Sequence, residues 1–157
     1  MLNVKNAEMA DLEQIMKIYR YAQDYMIKSG NPTQWGHFYP DADLIKSDID
    51  KNACKVIYDK DGIHGVFALF DGTEPTYKHI EGGNWLNEEP YLTIHRLAGD
   101  GQVHGLFPCA LNYCKKISLI SSNSNRSIRH LLLVSILNII VSALINVNIF
   151  STLIIFL

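Results

Sequence analysis

The chain has 157 residues and a formal net charge of -2, so its length suits one domain with a substantial core. This weakly acidic balance favours neither nucleic acid nor an anionic membrane surface as a partner. The six histidines and three cysteines show neither metal-site spacing nor a disulfide framework, and the N-terminus does not look like a signal peptide. We therefore predict no metal and a cytoplasmic, reducing location.

A short strand and two amphipathic helices are predicted in the first third of the chain. Residues 2–5 form the strand, and residues 11–29 place apolar side chains at i, i+3 and i+4 spacing before a Gly-Asn-Pro stop. An aromatic-rich loop over 33–40 follows. The second helix begins at Asp41 or Asp43, either of which can cap it, and runs to about residue 52.

Strands are predicted next, beginning with a hairpin. Residues 53–58 and 63–70 alternate around an Asp-Lys-Asp-Gly turn, in which glycine accepts the positive φ that such turns need. A long polar connection over 71–89 precedes a further strand at 91–98. The alternation along that strand puts Leu92, Ile94, Arg96 and Ala98 on one face of the sheet and the odd-numbered residues on the other.

The stretch 91–116 carries the strongest functional signal in the chain. Its strand enters a Gly/Asp-rich turn and then a helical pattern over 106–117. A strand, a glycine loop and a helix N-terminus in this order can bind an anion, because the first helical N–H groups are unpaired and the helix dipole favours negative charge. The alternative is a strand-to-helix turn with no ligand. The whole element order predicts an α/β fold with a mixed sheet.

Over residues 2–116 this order, β-α-α-β-β-β-loop-α, resembles that of the GNAT N-acetyltransferase superfamily. The superfamily's pyrophosphate loop, Gln/Arg-x-x-Gly-x-Gly/Ala, is matched by Gln102 and Gly105, whereas Phe107 departs from its third fixed position. The segments 94–98 and 35–40 also look like one bacterial branch of the superfamily.

The resemblance implies acetyl-CoA as co-substrate and direct acetyl transfer to an amine of a small molecule or peptide. It also implies that main-chain groups pair with the pantetheine arm and hold the pyrophosphate. The cofactor-binding residues would be Leu97, Ala98, Gln102, Val103, His104, Gly105, Leu106 and Phe107. Phe107 keeps its N–H available and can turn its side chain into the core. A homodimer stays open.

Catalytic and acceptor-binding candidates each have a structural alternative. His95 is either an acid or base on the cleft face or a hydrogen-bonded structural histidine. Arg96 meets either a phosphate or a partly buried carboxylate. Glu88 and Glu89 could supply a base acting through water, or they are solvated loop charges. An acceptor pocket could be walled by aromatic residues that could equally cap the core, namely Trp35, Tyr39 and Trp85.

The resemblance stops near residue 118, which we take as the boundary between an incomplete GNAT-like domain, 1–118, and an atypical apolar tail, 119–157. Residues 117–157 contain no Asp, Glu, Gly or Tyr, and 131–157 carry no formal charge. Three explanations stay open: a C-terminal membrane anchor, a buried helix that replaces the missing strands, and a disrupted reading frame, which we favour. The coding DNA around codon 118 distinguishes the third from the others.

Two functions therefore stay open. The first is an N-acetyltransferase, and the second is a non-catalytic CoA-binding or membrane-tethered remnant of one. Binding of CoA without acetyl transfer to any amine would separate the second from the first.

Overall fold

The structure, a computed structural model, describes residues 1–33, 35–71, 91–122 and 130–133. In chain order the elements are β1 (Asn3–Asn6), a 3-10 turn (Met9–Asp11), α1 (Leu12–Lys28), α2 (Ala42–Asp50), β2 (Cys54–Asp59), β3 (Gly62–Asp71), β4 (Tyr91–Gly99), α3 (Leu106–Ser122) and β5 (His130–Leu133). This order confirms the predicted α/β fold.

Local sequence signals account for where the helices begin. The Asp41 carboxylate accepts the Leu44 N–H at 2.8 Å, so Asp41, rather than Asp43, caps α2. The Asp11 carboxylate accepts the Glu8 N–H at 3.0 Å and the Asp11 N–H donates to the Glu8 carbonyl at 2.8 Å, which supports the 3-10 turn that leads into α1. The first helix thus starts at Leu12, close to the predicted position.

The sheet has the strand order β1-β2-β3-β4-β5. The first four strands are antiparallel, whereas β5 runs parallel to β4 and pairs Tyr91 with His130 through Ile94 with Leu133. The apolar segment therefore contributes a short strand to the sheet. Residues 119–122 of the same segment end α3, and residues 123–129 and 134–157 lie outside the described residues. No helix in the described ranges is long and apolar enough to cross a membrane.

Two β-bulges interrupt the regular pairing of β3. Ile57 pairs with Gly65 and Tyr58 with Ile63, so His64 has no partner on β2. On the other side of β3, Val66 pairs with Ala98 and Ala68 pairs with His95. One β3 residue therefore stands opposite two β4 residues, Arg96 and Leu97. Arg96 has a φ of 52°, a left-handed conformation that is rare outside glycine.

The bulge in β4 corrects the predicted alternation. Ile94 packs under α3, as does Leu97, whereas Ala98 packs on the opposite face under α1 and α2. The prediction that Ile94, Arg96 and Ala98 share one face is therefore wrong, because one extra residue reverses the side-chain direction beyond His95. As a result the consecutive residues His95 and Arg96 both contact Phe70, on the α1–α2 face.

The hydrophobic core lies on both faces of the sheet. One cluster, the α1–α2 core, includes Ile15, Ile18, Tyr19, Trp35, Ile45, Ile49, Val56, Val66 and Ala98. The other, the α3 core, consists of Ile57, Phe67, Leu92, Ile94, Leu97, Ala110 and Cys114. Since helices cover both faces, the central strands β2 to β4 are apolar on both sides, as a buried strand requires.

Candidate functional site

The predicted anion loop lies where β4 ends and α3 begins. Gly101 and Gly105 have φ values of 75° and 86°, and the Cys109 N–H donates to the Gly105 carbonyl at 3.0 Å to start the helix. In the described part of the chain, the N–H groups of residues 103–107 have no hydrogen-bond acceptor. These free donors stand at the positive end of the α3 dipole, which is the arrangement that a diphosphate needs.

Two glycines bring α3 close to the sheet. A Cβ on Gly65 would lie 3.0 Å from the Leu106 side chain, and a Cβ on Gly99 would overlap it. Phe107 packs against the α3 core, as predicted, so its bulk points away from the loop backbone. The N-terminus of α3 is therefore held by apolar contacts, while its N–H groups remain available.

A tyrosine on α1 covers the same loop. A Cβ on Gly101 would overlap the Tyr21 hydroxyl, and the φ of 75° there is one that residues with a side chain rarely adopt. Tyr21 is 48% exposed and belongs to the polar side of α1 in the sequence pattern. Sequence reasoning missed it, because nothing in the local pattern of α1 indicates contact with a loop that lies far along the chain.

An ion-pair chain fixes the start of the loop. The Asp100 carboxylate accepts the Gln102 N–H at 2.9 Å and contacts the His64 Nδ1 at 2.9 Å, and the other ring nitrogen of His64 lies 3.0 Å from Asp59. These two carboxylates raise the pKa of His64, Asp100 most strongly, although partial burial opposes them. The pKa of Asp59 is lowered, first by the Asp61 N–H and also by His64.

At the C-terminal end of β4, the sheet edge presents backbone groups rather than side chains. The described pairing with β5 stops at Ile94, and β4 continues to Gly99. Leu97 and Ala98, the residues expected to meet the pantetheine arm, bury their side chains in opposite cores, at 8% and 4% exposure. A ligand along this edge would thus meet backbone groups, as an added strand does.

Arg96 lies on the α1–α2 face of β4, opposite the α3 core. Its guanidinium donates to the Asp48 carboxylate and, at 3.2 Å, to the Tyr39 hydroxyl, and it lies 5.7 Å from the centre of the Phe70 ring. Of the two alternatives for Arg96, the buried ion pair is confirmed. The Arg96 carbonyl accepts from the Tyr19 hydroxyl at 3.2 Å, which ties the bulge to α1 as well.

The aromatic loop divides between core and surface. Trp35 is 7% exposed and packs edge-on against Tyr19 and Tyr39, so it contributes to the α1–α2 core. Tyr39 is 42% exposed and is therefore the one of these two that a ligand could contact. Trp85, Glu88 and Glu89 lie outside the described residues.

His95 and His104 stand on different sides of the site. The His95 ring is half-buried and meets Phe70 edge-on, with 5.5 Å between ring centres, and so lies on the same face as the Arg96 guanidinium. His104 is exposed in the anion loop. The catalytic role of His95 and the cofactor contact of His104 stay predictions. The described ranges contain no cluster of side chains suited to hold a metal ion.

Comparison with solved structures decides the fold family. A GNAT-family acetyltransferase from Streptococcus agalactiae 2603 matches 87% of this chain and 77% of its own, with a TM-score of 0.68 and 25% identity. This chain has the GNAT fold. A GNAT-family acetyltransferase from Listeria monocytogenes 4b F2365 matches with a TM-score of 0.62 and 16% identity over 85% of this chain and 76% of its own.

A mutant of agmatine N-acetyltransferase in its apo form shares the fold as well, with a TM-score of 0.52 and 13% identity over 85% of this chain and 75% of its own. No protein-family model matches the sequence, and a comparison with curated proteins gives no match. The GNAT neighbours nevertheless support an enzyme, with acyl transfer as its general function.

Proposed function

We propose that this protein transfers an acetyl group from acetyl-CoA directly to an amine. The observation that carries the proposal is the row of unpaired N–H groups at residues 103–107, which follows the positive-φ Gly101, contains the positive-φ Gly105 and lies at the N-terminus of α3. A diphosphate needs several aimed donors and little steric bulk, and both conditions are met there.

The pantetheine arm would extend from this loop along the free end of β4. The backbone of Leu97 and Ala98 would pair with its amides, since their side chains are committed to the two cores. This path leads toward the middle of β4, where His95 and Arg96 face the α1–α2 side. Acetyl-CoA would supply the activated acyl group, and the amine would approach from the side of Tyr39.

The base is proposed by position. His95 contacts Phe70 on the α1–α2 face of β4, the side from which the amine would approach in this proposal, so its ring would take the proton of the attacking amine. Direct transfer needs no enzyme nucleophile. The buried thiols suit this route, because burial raises the pKa of Cys54 and of Cys114 to about 12 and keeps both thiols protonated.

Gly105→Ala tests the cofactor loop, and Gly30→Ala is its matched control. The two glycines have φ values of 86° and 89°, and a Cβ on either would meet no atom closer than 4.0 Å. Each substitution therefore carries the same left-handed backbone cost, about 1–2 kcal/mol. Only Gly105 belongs to the loop, so relaxation of its backbone would misdirect the neighbouring N–H groups.

We expect Gly105→Ala to weaken CoA binding by about 10-fold or more in titration calorimetry, the effect of losing one hydrogen bond to a charged group. Gly30→Ala should bind CoA like the unmodified chain. Mass spectrometry of amine acceptors incubated with acetyl-CoA then tests transfer. An unmodified chain that binds no CoA, or equal weakening by both substitutions, would contradict the proposal.

A further inference from the structure

His64 occupies a position that regular strand pairing would not give it. It is the bulged residue of β3, is 7% exposed, and lies between two carboxylates. Its Nδ1 is 2.9 Å from Asp100 Oδ2 and its Nε2 is 3.0 Å from Asp59 Oδ1. Bulges commonly redirect a side chain next to a functional site, and here the redirected ring joins the β2–β3 turn to the end of β4.

The protonation state of the ring follows from its partners. Ionised carboxylates only accept hydrogen bonds, and a neutral imidazole donates from one nitrogen only. Both contacts are satisfied together when the ring is doubly protonated. The two carboxylates raise the pKa of His64, Asp100 first, and within the described ranges they are the charged groups that face the ring; the amino terminus acts on Asp59.

Asp100 connects His64, and therefore its protonation state, to the cofactor loop. Its N–H donates to the His64 carbonyl at 2.9 Å, and its second carboxylate oxygen accepts the Gln102 N–H at 2.9 Å. The side chain of Asp100 is only 8% exposed, so its negative charge is poorly screened beside a site meant for an anion. A protonated His64 both offsets that charge and holds the carboxylate in place.

We infer that His64 is a positioning residue for the cofactor loop, which in its protonated form fixes Asp100 and makes CoA binding weaken as the pH rises. The inference rests on the proposed function. The sign follows from the raised pKa: the contribution is complete below the ordinary pKa of histidine and disappears as the pH passes through the higher value in the folded protein.

The test measures binding of desulfo-CoA, whose missing thiol removes one titration, to the full chain between about pH 6 and about pH 9. The variants are His64→Gln, Asp59→Asn and, as control, His37→Gln, an exposed histidine outside both the loop and the β3 bulge. We expect the unmodified chain and His37→Gln to lose about 10-fold in affinity across the titration of His64. His64→Gln should bind weakly at the lower pH values and show no such transition.

Asp59→Asn supplies a readout that a purely structural role would not change. It removes one of the carboxylates that raise the pKa of His64 but leaves the contact between His64 and Asp100, so the midpoint of the binding transition should move to lower pH. The titration of the His64 ring, followed by NMR, should have the same midpoint as the binding curve in each variant.

The remaining outcomes overturn either the positioning role alone or the proposed function together with it. Affinity in the unmodified chain that does not vary with pH, or a transition that persists in His64→Gln, would overturn the positioning role alone and leave the proposed function standing. A chain that binds desulfo-CoA at no pH would overturn the proposed function, and the positioning role with it.

Discussion

Asp48→Asn tests the ion pair that holds the β4 bulge. Asp48 is 3% exposed and Arg96 is 8% exposed, so neither charge has solvent to replace a lost partner. Removing one member of a buried pair typically destabilises a protein by about 3–5 kcal/mol. Arg96 would keep the Tyr39 hydroxyl and the Phe70 ring, which places the expected loss near the lower end, about 3 kcal/mol.

A loss of about 3 kcal/mol is large against the total stability of a domain, about 5–15 kcal/mol. For a chain of this size it corresponds to a fall in Tm of about 6–12 °C. Urea denaturation followed by tryptophan fluorescence is a suitable assay, because Trp35 lies beside Tyr39 in the same cluster. Asp50→Asn is the matched control, since Asp50 is exposed on the same helix.

The double variant Asp48→Leu with Arg96→Met separates charge from packing. Apolar replacement of both partners removes the desolvation penalty, so this variant should be more stable than Asp48→Asn alone. If Asp48→Asn and Asp50→Asn are equally stable, the ion pair does not hold the bulge. The same conclusion follows if the stability lost by the double variant equals the sum of the losses in the single variants Asp48→Leu and Arg96→Met, because the pair would then have no coupling energy.

Two further predictions concern packing and thiol reactivity. Gly99→Ala should destabilise the protein by about 1–3 kcal/mol in urea denaturation and weaken CoA binding, because the new Cβ overlaps the Leu106 side chain at the start of α3. Gly65→Ala should destabilise the protein less. A larger loss of stability in Gly65→Ala than in Gly99→Ala would contradict the close packing of Leu106 on Gly99. In native protein at about pH 8, iodoacetamide should modify the half-buried Cys109 well before Cys54 and Cys114, whose pKa values of about 12 leave almost no thiolate. Peptide mass spectrometry measures the order, and equal rates in native protein would contradict the assigned burial.

Local patterns in the sequence were sufficient for the regular elements. The apolar periodicity of 11–29 predicted α1 at Leu12–Lys28, and the turn glycine at Gly62 has the positive φ that its hairpin position indicated. The strand–loop–helix arrangement over 91–117 was predictable for the same reason, whereas its binding of an anion stays a prediction. Its glycines, its preceding strand and its following helix are all adjacent in the chain, so the evidence for them is local.

The two β-bulges and the ion pairs beside them could not be predicted, because the residues that form each ion pair lie far apart in the chain. Arg96 and Asp48 are 48 residues apart, and His64 and Asp100 are 36 apart. Period-two alternation assumes regular pairing, and a single extra residue defeats it. The left-handed Arg96 is held against its intrinsic preference by an ion pair and by a hydrogen bond from Tyr19, neither of which leaves a mark on neighbouring positions.

The two β-bulges direct side chains toward different parts of the proposed site. The β3 bulge directs His64 toward Asp100 at the start of the β4–α3 loop, while the β4 bulge directs Arg96 toward Asp48 on the α1–α2 face. The groups proposed to hold CoA all lie on β4, the following loop and the start of α3, whose packing involves residues up to about 117. The acceptor side includes candidates outside the described residues. If the proposed function holds, CoA binding and acetyl transfer can therefore be lost separately, so CoA binding should be measured before acetyl transfer.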